Sequence, residues 1–473
     1  MFKIFIKFIS IILVLLQTGI GYIFDYNAVQ VLDINESVQY QTFEGFGAST
    51  CWWAGVIDNP ELAKNIAKAL YSDEEGLGLD IIRYNIGGGE WENPESRLND
   101  PIRKTESFYV YDEESGEYVY DFTRDANARQ VLDYAIEYGA KEVVLFCNSP
   151  HFSMTANGHA SGSYEEYGSN LPRENYQAFV DYLLTIADWF VEQGYPVKYI
   201  SPINEPQWQW GGEEVIQEGC HYSSDEATEL LALFAENMKE RNSPYGLSGP
   251  ESGQLSYKYM DYLFKFFDNE TLNEYCDSFS GHSYWLDGSK IQKILFGQVF
   301  SSFYPNKTFE MSEWCELPMT IDVNSIDSGL HMANVLVEDL TLLNATSWSS
   351  WTALQSDGLI YAQGTDIGYY NRAYAYKQFS SFIKPGMTRV EVNDVLGYQK
   401  DMEKVAFSDD ENIVLIVVNN AETEKTIKLA DNYTQSEIYV TDGNHNCENV
   451  SSELTNQQYT LSPRSITTFV FAK

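Results

Sequence analysis

The chain has 473 residues, 44% of them hydrophobic and 21% charged, a globular composition rather than a disordered one. Its 69 acidic and 30 basic residues leave a formal charge of −39, which disfavours nucleic-acid backbones and docking on anionic lipid as partners. Aromatic side chains make up 15%, a surplus that suits stacking surfaces for a ligand.

In chain order, Lys3 and Lys7 flank an apolar run that continues to Leu16, followed by the small residues Gly19 and Gly21. This pattern predicts a signal peptide over residues 1–21 and a secreted, extracellular protein with no stable membrane anchor. Six asparagines stand in glycosylation sequons: Asn35, Asn269, Asn306, Asn344, Asn432 and Asn449. The six cysteines are scattered with no Cys-x-x-Cys pair, so zinc ribbons and thioredoxin-like redox motifs have no support, and disulfide pairing stays open.

Residues 28–43 alternate as a strand does, and residues 22–44 are expected to form an N-terminal strand of a side module. From Gly45 onward, short apolar runs alternate with helical periodicity. Strands are expected at Gly45–Thr50, Ile81–Gly87, Glu142–Pro150, Tyr199–Pro206, Leu247–Ser252, Ser278–Trp285, Thr308–Trp314 and Ser347–Leu354. Helices are expected at Pro60–Tyr71, Asp125–Tyr138, Arg173–Gln193, Ser223–Arg241, Tyr257–Phe267, Ser289–Phe300, Val323–Leu342 and Asn371–Ile383. Eight alternating pairs predict a (β/α)8 TIM barrel, placed at residues 45–384. A doubly wound sheet would carry a phosphate-binding glycine motif after its first strand. Here Gly45-Phe46-Gly47 is followed by Ala48, Ser49 and Thr50. Past Pro385-Gly386 the texture becomes short alternating runs. Residues 385–473 are expected to build a C-terminal β-sandwich together with the N-terminal strand.

The loops after the strands are unequal. Residues 88–124 hold a hairpin pattern, Phe108–Glu113 and Glu117–Phe122 around Ser115-Gly116. Residues 150–172 are rich in Gly, Ser, Asn and His, and residues 207–222 carry Trp208 and Trp210. In a barrel these loops wall the C-terminal face, where active sites sit.

No zincin, P-loop or serine-elbow motif is present, and the six histidines show no metal-ligand spacing. Two carboxylates stand out instead: Glu205 in Pro202-Ile203-Asn204-Glu205-Pro206, and Glu313 in Met311-Ser312-Glu313-Trp314. An acid where an apolar strand meets the barrel mouth is costly to desolvate unless it is paired or used. Glycoside hydrolysis needs two such groups, an acid on the leaving oxygen and a carboxylate on the opposite face of the sugar.

With these stretches in view, the chain resembles glycoside hydrolase family 30. The matching segments are Phe43-Glu44-Gly45-Phe46-Gly47, Arg83-Tyr84-Asn85-Ile86-Gly87-Gly88-Gly89, Asn148-Ser149-Pro150, Asn204-Glu205-Pro206, Ser312-Glu313-Trp314 and Gln378 through Gly386. Cys51-Trp52-Trp53-Ala54 and Gln217-Glu218-Gly219-Cys220 resemble the endo-β-1,6-galactanase branch, with His151 as a departure from its pattern. The resemblance implies a retaining O-glycosyl hydrolase with Glu205 as general acid/base and Glu313 as nucleophile. It further implies Arg83 as cationic partner of Glu313, Asn204 at the sugar 2-hydroxyl and Tyr284 as a donor to the nucleophile. Trp351 is expected under the reacting sugar, Trp52, Trp53, Trp208 and Trp210 as subsite platforms, and Glu251 in support. The expected partner is a polysaccharide such as a β-linked galactan, acted on by a monomer without metal or organic cofactor. Glucosylceramidase, β-1,6-glucanase, xylanase and a non-catalytic carbohydrate-binding protein are the alternatives.

Overall fold

The computed structural model describes residues 29–473 apart from 287–288, 355, 397–400, 432, 434–435 and 451–453. The segment read as a signal peptide and the sequon at Asn432 lie outside the described residues.

A parallel sheet curls through Gly45–Ser49, Ile81–Ile86, Glu142–Cys147, Val197–Ser201, a strand in two pieces, Ser278–His282, Thr308–Trp314 and Ala345–Ser350. These are barrel strands one to eight. Strand eight pairs back onto strand one, with Ser347 opposite Gly45 and Ser350 opposite Ala48. Strand five is broken at Ser248-Gly249: Gly246–Leu247 pairs with strand four and Pro250–Ser252 with strand six. The pairing therefore runs round the whole ring, giving the expected barrel.

Local chemistry explains the element boundaries. The helix Pro60–Tyr71 begins with Asn59, whose side chain accepts from the Glu61 and Leu62 amides, and Pro60 has no N–H to waste at that position. Ser223 and Glu226 close a reciprocal capping box on Ser224–Arg241. Strand four ends at Ser201, earlier than the expected Pro206. Pro202 and Pro206 cannot donate to a ladder, and the Glu205 amide turns to the Glu251 carbonyl instead, 2.9 Å away. The hairpin in the long second loop forms as Tyr109–Asp112 against Glu117–Tyr120. A second hairpin, Ile360–Gln363 against Asp366–Tyr369, sits where no element was expected.

The remaining chain folds as a β-sandwich. Gln30–Thr42 runs antiparallel to Thr388–Leu396 and parallel to Lys425–Leu429. The strand Asn412–Asn419 is buried on both faces, which is why its sequence is a continuous apolar run. Ile413, Leu415 and Val417 point into the sandwich core, while Val414, Ile416 and Val418 join the core of the barrel.

Candidate active site

Strand seven should alternate sides, yet both Ser312 and Glu313 face the barrel interior. A register irregularity against strand six between Gly281 and His282, and against strand eight between Met311 and Trp314, breaks the alternation there. Glu205 reaches the same place from beyond strand four with a left-handed backbone, φ 46°. That conformation is uncommon for a residue with a Cβ, and Glu251 and Trp285 beside the site share it. Its carbonyl accepts from the Trp208 amide (3.2 Å) and the Trp210 indole (2.9 Å), so the aromatic loop packs against the acid it flanks. Gly219 makes room for Trp210, since a Cβ there would lie 2.4 Å from the indole. Glu218 ties this loop to the second one by accepting from the Gly88 and Glu90 amides.

Glu205, His282 and Glu313 each place one donor atom within 4.8 Å of the others. Arg83 donates to Glu313 at 3.0 Å and pairs with Glu251 at 3.4 Å. Tyr284 Oη donates to the other Glu313 oxygen at 3.0 Å. The His282 ring lies 3.2 Å from Glu205, 3.1 Å from Glu251 and 3.6 Å from Glu313. Ser201 and Ser312 also donate to Glu251.

Two cations thus face three carboxyls in a buried site. Burial alone would lower the His282 pKa, but the charge of Glu313 and the hydrogen bonds to Glu205 and Glu251 outweigh it and raise the pKa to about 10. Burial works against ionising Glu251, yet Arg83, His282 and Ser312 pull it down to about 2. Burial pushes Glu313 above the ordinary carboxylate value, with the charges of His282 and Arg83 opposing and that of Glu205 adding to the rise. Glu205, His282 and Glu313 also offer the donor types of a metal site, with the Arg83 guanidinium beside them as fixed positive charge.

The pair opens on a cleft of about 380 Å³ whose lining includes Asn204, Trp208, Trp210, Tyr284, Trp285 and Trp351. Buried Asn204 Oδ1 and Trp208 Nε1 have no hydrogen-bond partner among the described residues. Trp52 stands behind this wall, edge-on to Trp351 at 4.9 Å. Trp53 does not line the cleft: it is buried, and its indole donates to the Ser49 carbonyl at 3.1 Å. Arg83 likewise lies behind Glu313, 1% exposed, touching the carboxylate rather than the open cleft. Tyr284 and Trp351 come just past the ends of strands six and eight rather than within them.

Residues 29–313 match the profile of O-glycosyl hydrolase family 30, and residues 386–469 match the glycosyl hydrolase family 30 beta sandwich domain. The chain belongs to glycoside hydrolase family 30. It is 26% identical over 403 residues to an endo-β-1,6-galactanase of Hypocrea rufa, a match covering 79% of each protein. The fold is that of a conserved exported protein from Bacteroides fragilis, with TM-score 0.83, 24% identity and coverage of 93% of this chain and 100% of that one. It is also that of the family 30 xylanase C catalytic domain from Talaromyces cellulolyticus, with TM-score 0.73, 18% identity and coverage of 94% and 100%. This family 30 enzyme is therefore an O-glycosyl hydrolase.

Sequence reasoning misses His282, which makes three of the site's contacts. A lone histidine carries no spacing signal. The usable clue is the polar run Ser280-Gly281-His282-Ser283, four non-apolar residues where a buried strand should be apolar. Arg103, Trp285, Cys315 and Asp357 also line the cleft, and no motif in the sequence marks them.

Proposed function

We propose that this enzyme is a secreted, retaining endo-β-1,6-galactanase working by double displacement. The observation that carries the mechanism is the closeness of Glu205 and Glu313, which bring one carboxylate oxygen each within 4.8 Å of the other and so leave little room for a water between them. Retaining glycosidases hold their two carboxyl groups about 5–5.5 Å apart, whereas inverting ones leave about 6.5–9.5 Å for a water. The asymmetry of the contacts supports the division of labour. Glu313 accepts from Arg83 and Tyr284, which favour its ionised form as nucleophile. Among the described residues no arginine donates to Glu205, which faces the aromatic loop, so the part of general acid is assigned to it. Glu313 attacks the anomeric carbon as Glu205 protonates the glycosidic oxygen. Water then cleaves the glycosyl-enzyme with Glu205 as base. Asn204, beside the acid on the cleft wall, is placed to bind the sugar 2-hydroxyl.

The galactan assignment is supported by the Hypocrea rufa relative and by the Cys51–Ala54 and Gln217–Cys220 segments. Secretion is supported by the N-terminal apolar run and the six sequons. The test is hydrolysis of β-1,6-galactan, pustulan, glucuronoxylan and glucosylceramide, with the first-formed anomer followed by NMR. Galactan is expected to be cleaved to short oligomers with the β-anomer appearing first. Cleavage of another member of the panel instead overturns the substrate, and an α-anomer appearing first overturns the mechanism. Glu205→Gln is expected to lose about 10²- to 10⁴-fold on poor leaving groups and to spare activated aryl glycosides. Glu313→Gln is expected to lose both.

A further inference from the structure

Asp357 lies in the loop after strand eight, and its side chain lines the same cleft as the two glutamates. Among the described residues, no side chain donates a hydrogen bond to its carboxylate. The loop that carries it is held from behind, because Arg372 donates to the Asp357 carbonyl at 3.0 Å while pairing with buried Glu316 at 3.1 Å. The acceptor is therefore positioned by its backbone, and its carboxylate accepts from its own amide while taking no side-chain donor among the described residues. Burial pushes its carboxyl above the ordinary aspartate value, with the hydrogen bond from its own amide and the charges of Arg103 and Arg372 opposing.

Arg103 belongs to the same wall. Its guanidinium stacks over Trp52 at 4.1 Å, Trp52 is braced edge-on by Trp351, and Gln217 accepts a weak hydrogen bond from it at 3.5 Å. Stacking leaves the rim of the guanidinium free to donate. Asp357 falls on the nucleophile's side of the cleft, and Arg103, held by Trp52 and by Gln217 of the loop after the acid, is near enough for its charge to act on Asp357. The Asp357 charge acts on the Cys315 thiol, Cys315 Sγ is 3.7 Å from Tyr284 Oη, and Tyr284 holds Glu313. Trp208, packed edge-on to Trp285 at 5.3 Å, stands next to Glu205. The anomeric carbon of the reacting sugar lies between the two carboxyls, and a ring extending from there toward the loop after strand eight meets Asp357.

We propose that Asp357 and Arg103 form a clamp for the O3 and O4 hydroxyls of the sugar that bonds to Glu313, and so select its configuration at C4. A carboxylate accepts from two neighbouring hydroxyls, and the guanidinium donates to the oxygen of one. In a β-1,6-linked chain O6 is taken by the linkage, which leaves O3 and O4 as the ring hydroxyls distant from C1. An axial and an equatorial O4 cannot meet the same fixed acceptor, so this pair would separate galactose from its C4 epimer. The inference rests on the retaining reading above.

The test is a cycle of two changes, one in the enzyme and one in the substrate. An aryl β-1,6-galactobioside and its analogue lacking O4 on the aryl-bearing sugar are hydrolysed by the wild type, Asp357→Ala and Asp357→Asn. The wild type is expected to lose on the order of 10²-fold or more in kcat/KM on the deoxy substrate. Asp357→Ala should lose a similar factor on the parent and little further on the deoxy analogue, because the partner is already gone. Losses that multiply, or an unchanged rate on the parent, overturn the clamp. If Asp357→Ala does not fold, Asp357→Asn, which keeps the shape, carries the same comparison. If the wild type cleaves a different aryl glycoside, the galactan reading fails by itself, and the cycle is run with deoxy analogues of the glycoside that it does cleave.

Discussion

His282 keeps its proton because three carboxyls surround it in a buried site, and that proton in turn sets how easily the carboxyls ionise. His282→Gln removes the charge while keeping an amide of similar reach. An opposite charge within about 4–6 Å lowers a carboxyl pKa by roughly 1–3 units, so its loss should move the acid limb of kcat/KM upward by that amount. A full pH–rate profile checks this, and an acid limb left in place would show that His282 is only packing. The same proton stabilises the fold. With a pKa raised from 6.5 to about 10, its contribution is complete below pH 6.5 and lost as pH rises through about 10, so the variant should show a flatter alkaline stability profile. The two glutamates were legible in the sequence because an acid at the end of an apolar strand is costly to bury unless it is paired or used. The histidine was not, because its role comes from three partners, one just beyond strand four and two on strands five and seven, and no local pattern encodes that convergence. Trp53 erred the other way, since tryptophans filling a core and tryptophans walling a cleft look alike in one dimension.

At the scale of elements, the barrel strands were readable wherever the ladder was regular. Strand seven has the expected bounds, Thr308–Trp314, because Phe309, Met311 and Trp314 supply its buried apolar residues and no proline or glycine interrupts it. The irregularities escaped: the break in strand five, the early end of strand four and the register shifts at Met311–Trp314 depend on neighbouring strands. These irregular places carry the site, as expected where local structure and function compete. Gly253, just past strand five, shows how tightly they fit. A Cβ there would stand 2.5 Å from Glu205 Oε1 and 2.5 Å from Trp208 Nε1. Gly253→Ala must therefore displace the proton donor or the indole beside it. A misplacement near 1 Å costs about 10²-fold in rate, so kcat on a poor leaving group should fall by roughly 10- to 10²-fold, with the melting temperature close to that of the wild type. Steady-state kinetics on two leaving groups checks the point. A uniform loss on both, or an enzyme as fast as the wild type, contradicts the placement.

At the scale of the whole molecule, the barrel and the sandwich are joined by shared core rather than by a linker. Val414, Ile416 and Val418 leave the sandwich sheet on its barrel side and lie in the same apolar cluster as Phe43, Phe46 and Phe379. Phe43 meets Phe46 at 4.4 Å and Phe407 at 5.7 Å, one contact on each side of the junction. Gln378, on the last barrel helix, donates to Thr441 at 2.9 Å, and its carbonyl accepts from Thr468 at 2.9 Å. Burying apolar groups from both parts in one cluster means that neither can unfold without exposing the other. A single cooperative transition is therefore expected in calorimetry. Ile416 is fully buried at this seam, so Ile416→Ala should cost about 2–5 kcal/mol and lower the melting temperature of the whole chain. Val395 is 54% exposed, and Val395→Ala should stay within about 0.5 kcal/mol. Two resolved transitions in the wild type, or equal effects of the two substitutions, would mean that the seam is only contact between independently stable parts.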